Sequence, residues 1–177
     1  VWHRGAVDAD GKTGDGAGIH LEIPKDFFIE KIQVTGHDYD NSEICVGMIF
    51  LPRNDYSSQE SCKTIVESEL TKNNFSIYGW RQVPVNPKVL GEKALQTMPE
   101  IIQVLFKSND RNLLDKELER KIYEIRKRIE NKAFEMSLND FYICSISSKS
   151  IIYKGMFLAE AISDFYQDLK DKRFISR

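Results

Sequence analysis

The densest set of groups that could do chemistry lies at the front of the chain. Residues 3–24, HRGAVDADGKTGDGAGIHLEIP, hold five glycines and three aspartates, and Val7 is their only large apolar side chain before Ile19. Such a composition suits either a loop shaped for a ligand or a flexible leader. Phosphate binding is the first chemistry to test, because Gly11-Lys12-Thr13 ends like a P-loop. That motif requires a glycine five residues before Gly11, where Ala6 stands, and a strand ahead of it, where there is almost no chain. A dinucleotide-binding turn needs G-x-G-x-x-G, whereas Gly14, Gly16 and Gly18 are spaced two and two. Asp8, Asp10 and Gly11 suggest a calcium loop, but counting from Asp8 puts Thr13 at the obligatory glycine and Ile19 at the bidentate glutamate. His3, His20 and His37 have no ligand-like spacing, so no metal is expected. Gly14, Gly16 and Gly18 sit directly against the next strand, where close backbone approach and positive φ are what glycine permits. They are read as loop-shaping residues of an ordered segment.

The cysteines offer little further chemistry. Cys45, Cys62 and Cys144 are far apart, belong to no C-x-x-C pair and fall at apolar positions of their segments. They read as small core hydrophobes kept as thiols in a reducing, intracellular compartment. With 25 basic and 27 acidic residues the net charge is -2, which implies no broad attraction to nucleic acid or to an anionic membrane. The basic run RKIYEIRKR fits a solvated helix face. No apolar run reaches the roughly 18 residues of a membrane span, and no signal-peptide pattern opens the chain. The expected location is cytoplasmic, with an organelle left open. A chain of 177 residues supports one domain, 1–177, and its start at Val1 and stop at Arg177 suggest a fragment.

These groups must be positioned by the elements that follow. GIHLEIP alternates as a strand, with His20 opposite Ile19 and Leu21. KDFFIEKI predicts a short helical turn, and ICVGMIFLP a strand buried on both faces. Cys62, Ile65, Val66 and Leu70 recur at helical spacing behind serine caps. FSIYGWRQVPV predicts a strand broken by Pro84, and EIIQVLFKS another. Leu114, Leu118, Ile122, Ile125 and Ile129 mark a long helix, with Asn109 or Asp110 as its cap. DFYICSIS and SIIYKGM predict a hairpin across Ser147–Lys149, and FLAEAISDFYQDL a closing helix. Hairpins alternating with helices predict a layered α/β (α+β) domain with a mostly antiparallel sheet.

HRGAVDADGKTGDGAGIHLEIPKDFF resembles the early segment of the class II glutamine amidotransferase domain of glutamate synthase large subunits. The resemblance continues through VGMIFLP, GWRQVPV, VLGEKALQTMPEIIQVL, IYEIRKRIE, FYICSISSKSIIYKGM and DLKDKRF, nearly the whole chain. It implies a four-layer αββα N-terminal-nucleophile sandwich, here truncated at both ends. It also implies a nucleophile that is an N-terminal cysteine, whose free amine acts as base while the thiolate attacks the glutamine side-chain amide. The ammonia released would pass inside the protein to a synthase domain of the same polypeptide. That domain would hold FMN and an iron-sulfur cluster, make glutamate from 2-oxoglutarate, and take electrons from a small electron-donating subunit or ferredoxin.

One departure is decisive. Val1 cannot be the nucleophile, and in the family the cysteine lies some tens of residues before the HRG motif. The STNT-type segment that helps to bind glutamine would follow Arg177, and the asparagine and glycine of the oxyanion hole would come later still. By resemblance, Arg4 and Gly5 match the pair that orders the nucleophile's amino terminus, with a loop-holding salt bridge as the alternative role for Arg4. Asp15 is the one candidate for substrate contact, set against hydrogen bonds within its own turn. The competing reading is a nucleophile-lacking scaffold or interaction module, and a phosphoribosyl or sugar-phosphate amidotransferase is a third. This segment alone is expected to be inactive.

Overall fold

A computed structural model describes residues 6–174. Its elements are β1 (Ala17–Glu22), α1 (Lys25–Val34), β2 (Cys45–Leu51), α2 (Tyr56–Lys72), β3 (Phe75–Gln82), α3 (Glu92–Gln96), β4 (Glu100–Ser108), α4 (Asp115–Glu135), β5 (Tyr142–Ser147), β6 (Ser150–Gly155) and α5 (Ile162–Phe165). The strands form two antiparallel sheets, one of four strands in the order β3-β4-β2-β5 and one of two strands, β1-β6.

Alternation along the central strands sorts their side chains between two cores. Ile49 and Leu51 of β2, with Ile102, Val104 and Phe106 of β4, face one side, where they meet Cys62, Val66 and Leu70 of α2 and Leu118, Ile122, Ile125 and Ile129 of α4. Val46 and Met48, with Ile101 and Leu105, face the other side, against Phe27, Phe28 and Ile32 of α1 and Ile151 and Tyr153 of β6. The layers are therefore helices, four-stranded sheet, and a second sheet with α1 beside it. This is a layered, mixed α/β arrangement with antiparallel sheets, as expected from the order of the elements.

A polar network crosses between the sheets. Arg81 of β3 grips Asp168 through two hydrogen bonds of 2.7 Å each, and also donates to the Gln103 side-chain oxygen of β4 at 2.7 Å. The Gln103 amide donates to the Tyr153 hydroxyl at 3.2 Å, and that hydroxyl donates to Asp168 at 3.0 Å. Asp168, Gln103 and Tyr153 are buried, and each of their polar groups has a partner. Burial without partners would be costly, so this closed circuit is what lets charge sit between two apolar layers.

Four local expectations need correction. The predicted β5–β6 hairpin is a corner between sheets: β5 pairs with β2, and β6 with β1. Side chains replace the ladder, since the Ile152 N–H donates to Ser145 Oγ at 3.1 Å and Cys144 Sγ donates to the Ile152 carbonyl at 3.5 Å. Glu119 of α4 clamps the turn, accepting from Ser147 Oγ, from the Ser148 N–H at 2.7 Å and from Ser148 Oγ at 2.8 Å. The closing helix is broken into short turns because Phe165 and Tyr166, adjacent in sequence, both enter the core and Tyr166 bridges to Val85. The helical turn at KDFFIEKI runs on to ten residues. Helix α4 starts later than its expected caps, because Asp110 accepts from the Asn112 N–H within its own turn while the Glu117 carboxylate accepts from the Leu114 N–H.

Candidate functional site

The glycine-rich segment is an ordered loop held by its own hydrogen bonds. The Asp8 N–H donates to the Thr13 carbonyl at 2.8 Å, and the Gly11 N–H to the Asp8 carbonyl at 2.9 Å. Gly11 takes the turn at φ 70°, a left-handed conformation that suits glycine. At the open end the Asp15 N–H donates to the Ala6 carbonyl and the Ala6 N–H to Asp15 Oδ2, both at 3.2 Å. The Asp15 carboxylate is thus engaged within the loop.

Asp10 organises the tip. Its Oδ1 accepts from the Lys12 N–H at 2.9 Å and the Thr13 N–H at 2.7 Å, while Oδ2 accepts from Thr13 Oγ1 at 2.5 Å. These bonds, the Thr13 hydroxyl first among them, hold the Asp10 carboxyl well below the usual carboxylate range. Asp8 pairs with Lys93 at 2.6 Å.

The loop rests on two other parts of the chain. A Cβ on Gly14 would lie 3.0 Å from the Phe157 carbonyl oxygen, and one on Gly18 would lie 2.9 Å from Lys154 Cβ. Gly16 has φ 127° and lies beside Gly155. On the opposite side, a Cβ on Gly91 would collide at 2.2 Å with both Asp10 Oδ2 and Thr13 Oγ1. Contact this close is available only to glycine.

Phe157 and Lys154, and the residues on either side of Gly91, border one cavity of about 730 Å³. Leu90, Ala94 and Met98 line it from the Gly91 side, and Gly155, Met156 and Phe157 from the β6 side; Phe50, Ile101 and Phe165 add apolar surface. Arg53, Asp140, Tyr142 and Lys154 supply polar groups. Lys154 Nζ donates to the Tyr142 hydroxyl at 2.6 Å, and Arg53 donates to the Leu95 carbonyl at 3.1 Å. No cysteine, serine or histidine lines the cavity among the described residues.

Arg4 and Gly5 lie outside the described residues. The chain is first described at Ala6, where Asp15 fastens it. His20 is exposed on the outward face of β1. Among the described residues, no group of three or more histidine, cysteine, aspartate and glutamate side chains could hold a metal ion. No helix among them is long and apolar enough to cross a membrane. Sequence reasoning missed the seat at Gly91 and the clamp at Lys93. An aspartate followed two and three residues later by backbone donors is a turn signal that could have shown Asp10 gripping Thr13, but nothing local announces a partner some eighty residues away.

All three cysteines are buried thiols. Burial pushes Cys62 and Cys144 up to about 11 and Cys45 further still. At about pH 8 only about one in a thousand such groups is a thiolate. We expect a thiol-reactive disulfide reagent to modify all three rapidly in denaturant and none rapidly in the folded protein. A fast-reacting thiol in the native state would contradict this.

A family model described as class-II glutamine amidotransferases matches residues 1–177. The chain is 53% identical over 176 residues to the NADPH glutamate synthase large chain of Azospirillum brasilense, covering 99% of this chain and 12% of that protein. It is 40% identical to ferredoxin-dependent glutamate synthase 1, chloroplastic/mitochondrial, of Arabidopsis thaliana, covering 98% of this chain and 11% of that protein. The spinach chloroplastic ferredoxin-dependent enzyme is 38% identical over the same shares. The chain thus spans about an eighth of the length of the relatives it matches. With this likeness along its whole length, and with a loop and sheets arranged as described, the chain belongs to the class II glutamine amidotransferase family.

Proposed function

We propose that residues 1–177 form part of the glutaminase domain of a glutamate synthase large chain. The observation that carries this reading is the 53% identity to such a chain across 99% of these residues. In this reading a cysteine outside residues 1–177 supplies the nucleophile. Its thiolate attacks the side-chain amide carbon of glutamine, ammonia leaves, and water hydrolyses the glutamyl thioester to glutamate and free thiol. The three buried thiols described above are too poorly ionised for that task, and each belongs to the packed core. This chain's own part is to build the wall beside the reacting centre. Arg4 and Gly5 order the nucleophile's amino terminus, the glycines at 14, 16 and 18 let the loop lie against β6, and Asp15 closes the loop. FMN and an iron-sulfur cluster belong to the synthase region of the same polypeptide, where ammonia meets 2-oxoglutarate. Electrons reach that region from a small electron-donating subunit or from ferredoxin. The reaction is placed in the cytoplasm or, as the names of the plant relatives suggest, in an organelle.

The test is to express the full coding sequence that contains these residues and, separately, residues 1–177. The full polypeptide is expected to hydrolyse glutamine and to make glutamate from glutamine and 2-oxoglutarate; residues 1–177 alone are expected to release no ammonia. Thioester formation from glutamine on residues 1–177 would overturn the assignment of the nucleophile. A full polypeptide without glutamine hydrolysis would favour an interaction module instead.

A further inference from the structure

We propose that residues 87–99 form a lid over the cavity, hinged at Pro87 and Pro99 and held shut by Arg53 and by the glycine loop. The segment runs between two fixed points. Ahead of it the Asn86 N–H donates to the Phe165 carbonyl at 2.8 Å, and behind it Glu100 is paired with Leu51 of β2. Between them the backbone bonds to itself: the Leu90 N–H donates to the Pro87 carbonyl, the Leu95 N–H to the Gly91 carbonyl and the Thr97 N–H to the Lys93 carbonyl. Among the described residues, no backbone-to-backbone hydrogen bond joins 87–99 to another part of the chain. The bounding prolines bring no N–H with which to make one. A segment with so few outside bonds opens more readily than the strands β3 and β4 that it connects.

Its inner face closes the cavity. Leu90, Ala94 and Met98 recur every four residues and all line it, while Lys88, Glu92 and Lys93 are exposed. Side chains hold the segment down. Arg53, in the turn after β2, donates to the Leu95 carbonyl at 3.1 Å, and Lys93 pairs with Asp8 of the glycine loop at 2.6 Å. Both bonds lie at the surface, where water can take over from either partner, so they can break without stranding a buried group. Gly91 packs so closely on the same loop that a methyl group there would lie 2.2 Å from Asp10 Oδ2 and Thr13 Oγ1. Its backbone, at φ -72° and ψ 165°, is one that alanine adopts without strain, so Gly91→Ala acts as a wedge between lid and loop. A cavity of about 730 Å³ lies within the size range of small-molecule sites. The lid admits a small molecule when open and shuts water out when closed.

The experiment uses the full polypeptide carrying Ala94→Cys, which puts a thiol on the inner face of the lid. Mass spectrometry follows its labelling by a maleimide, together with hydrogen exchange in residues 88–98 and 101–106. Ala94 is 4% exposed, so the new thiol should label slowly. Adding Arg53→Ala should raise the labelling rate about fivefold, the factor expected from one hydrogen bond. Gly91→Ala should raise it further. Amides in 88–98 should exchange faster in step with labelling, while those in 101–106, within β4, keep their parent rates. If Ala94→Cys alone labels as fast as an exposed thiol, the cavity stands open and the lid is overturned. Labelling unmoved by both Arg53→Ala and Gly91→Ala would also overturn it, since neither fastening would then hold the segment shut. An equal quickening of exchange in 88–98 and 101–106 would do the same, because the whole domain would be opening.

Discussion

Replacing Asp168 with alanine is expected to lower the free energy of unfolding by about 3–5 kcal/mol, the usual cost of stranding one member of a buried ion pair. The Asp168 side chain is 2% exposed and that of Arg81 12%, so the guanidinium left behind has little water to turn to. The same substitution removes an acceptor from the Tyr153 hydroxyl, which is buried beside it. Denaturant unfolding of both proteins gives the difference directly. Asp168→Asn keeps an oxygen for Arg81 and should lose less. Exchanging both Arg81 and Asp168 for apolar residues of similar size should lose least, since the charge and its partner go together. A loss below about 1 kcal/mol in Asp168→Ala, the value of an exposed pair, would mean that water reaches the network.

Phe157→Ala should cost about 3–5 kcal/mol, as truncation of a buried aromatic side chain generally does. Phe157 is 1% exposed, and its ring packs against Phe165 and Tyr166 and fills the space that a Cβ on Gly155 would otherwise claim. Its carbonyl is the surface on which Gly14 rests. The lost ring would widen the cavity on the side where the glycine loop is braced, so the loop should exchange its amide hydrogens faster as stability falls. Phe157→Leu refills part of the volume and should recover part of the loss. Stability equal to wild type in Phe157→Ala would show that the surrounding side chains collapse into the gap.

How much of this could be read from the sequence follows the range of each interaction. The spacing of Cys62, Val66 and Leu70, and of Leu118, Ile122, Ile125 and Ile129, marks helices α2 and α4 because each helix buries one face against a sheet. The uninterrupted ICVGMIFL marks β2 because both of its faces are covered. The corner after β5 was illegible because its deciding bonds run from Ser145 and Cys144 to the backbone of Ile152, and a serine or cysteine in a strand carries no sign of such a bond. The closing segment passes for a helix because Phe165 and Tyr166 suit helical spacing equally well, and only the partners of Tyr166, namely Val85 and the Lys154 carbonyl, pull the backbone out of it. Of the site, the order of the glycine loop was legible from its turn residues. Its seat at Gly91 and the Arg81–Asp168 pair were not, since they join residues about eighty positions apart.

The described glycines leave protein engineers little to trade. Alanine in place of glycine ordinarily stiffens the unfolded chain and gains about 0.4–1 kcal/mol where the backbone allows it. A scan ranked by dihedral angle would select Gly14, Gly18, Gly47, Gly91 and Gly155, none of which has positive φ. Each of these would place its new methyl group 3.0 Å or less from a neighbouring atom, as Gly47 would against Val104 Cγ1 at 2.7 Å. Of the other four described glycines, Gly11, Gly16 and Gly36 have room but the wrong angle, and Gly79 has neither, since its Cβ would lie 2.9 Å from Thr35 Cγ2. Thermostabilising changes in this segment should therefore be sought among its solvent-facing helix residues, where neither collision nor backbone strain stands in the way.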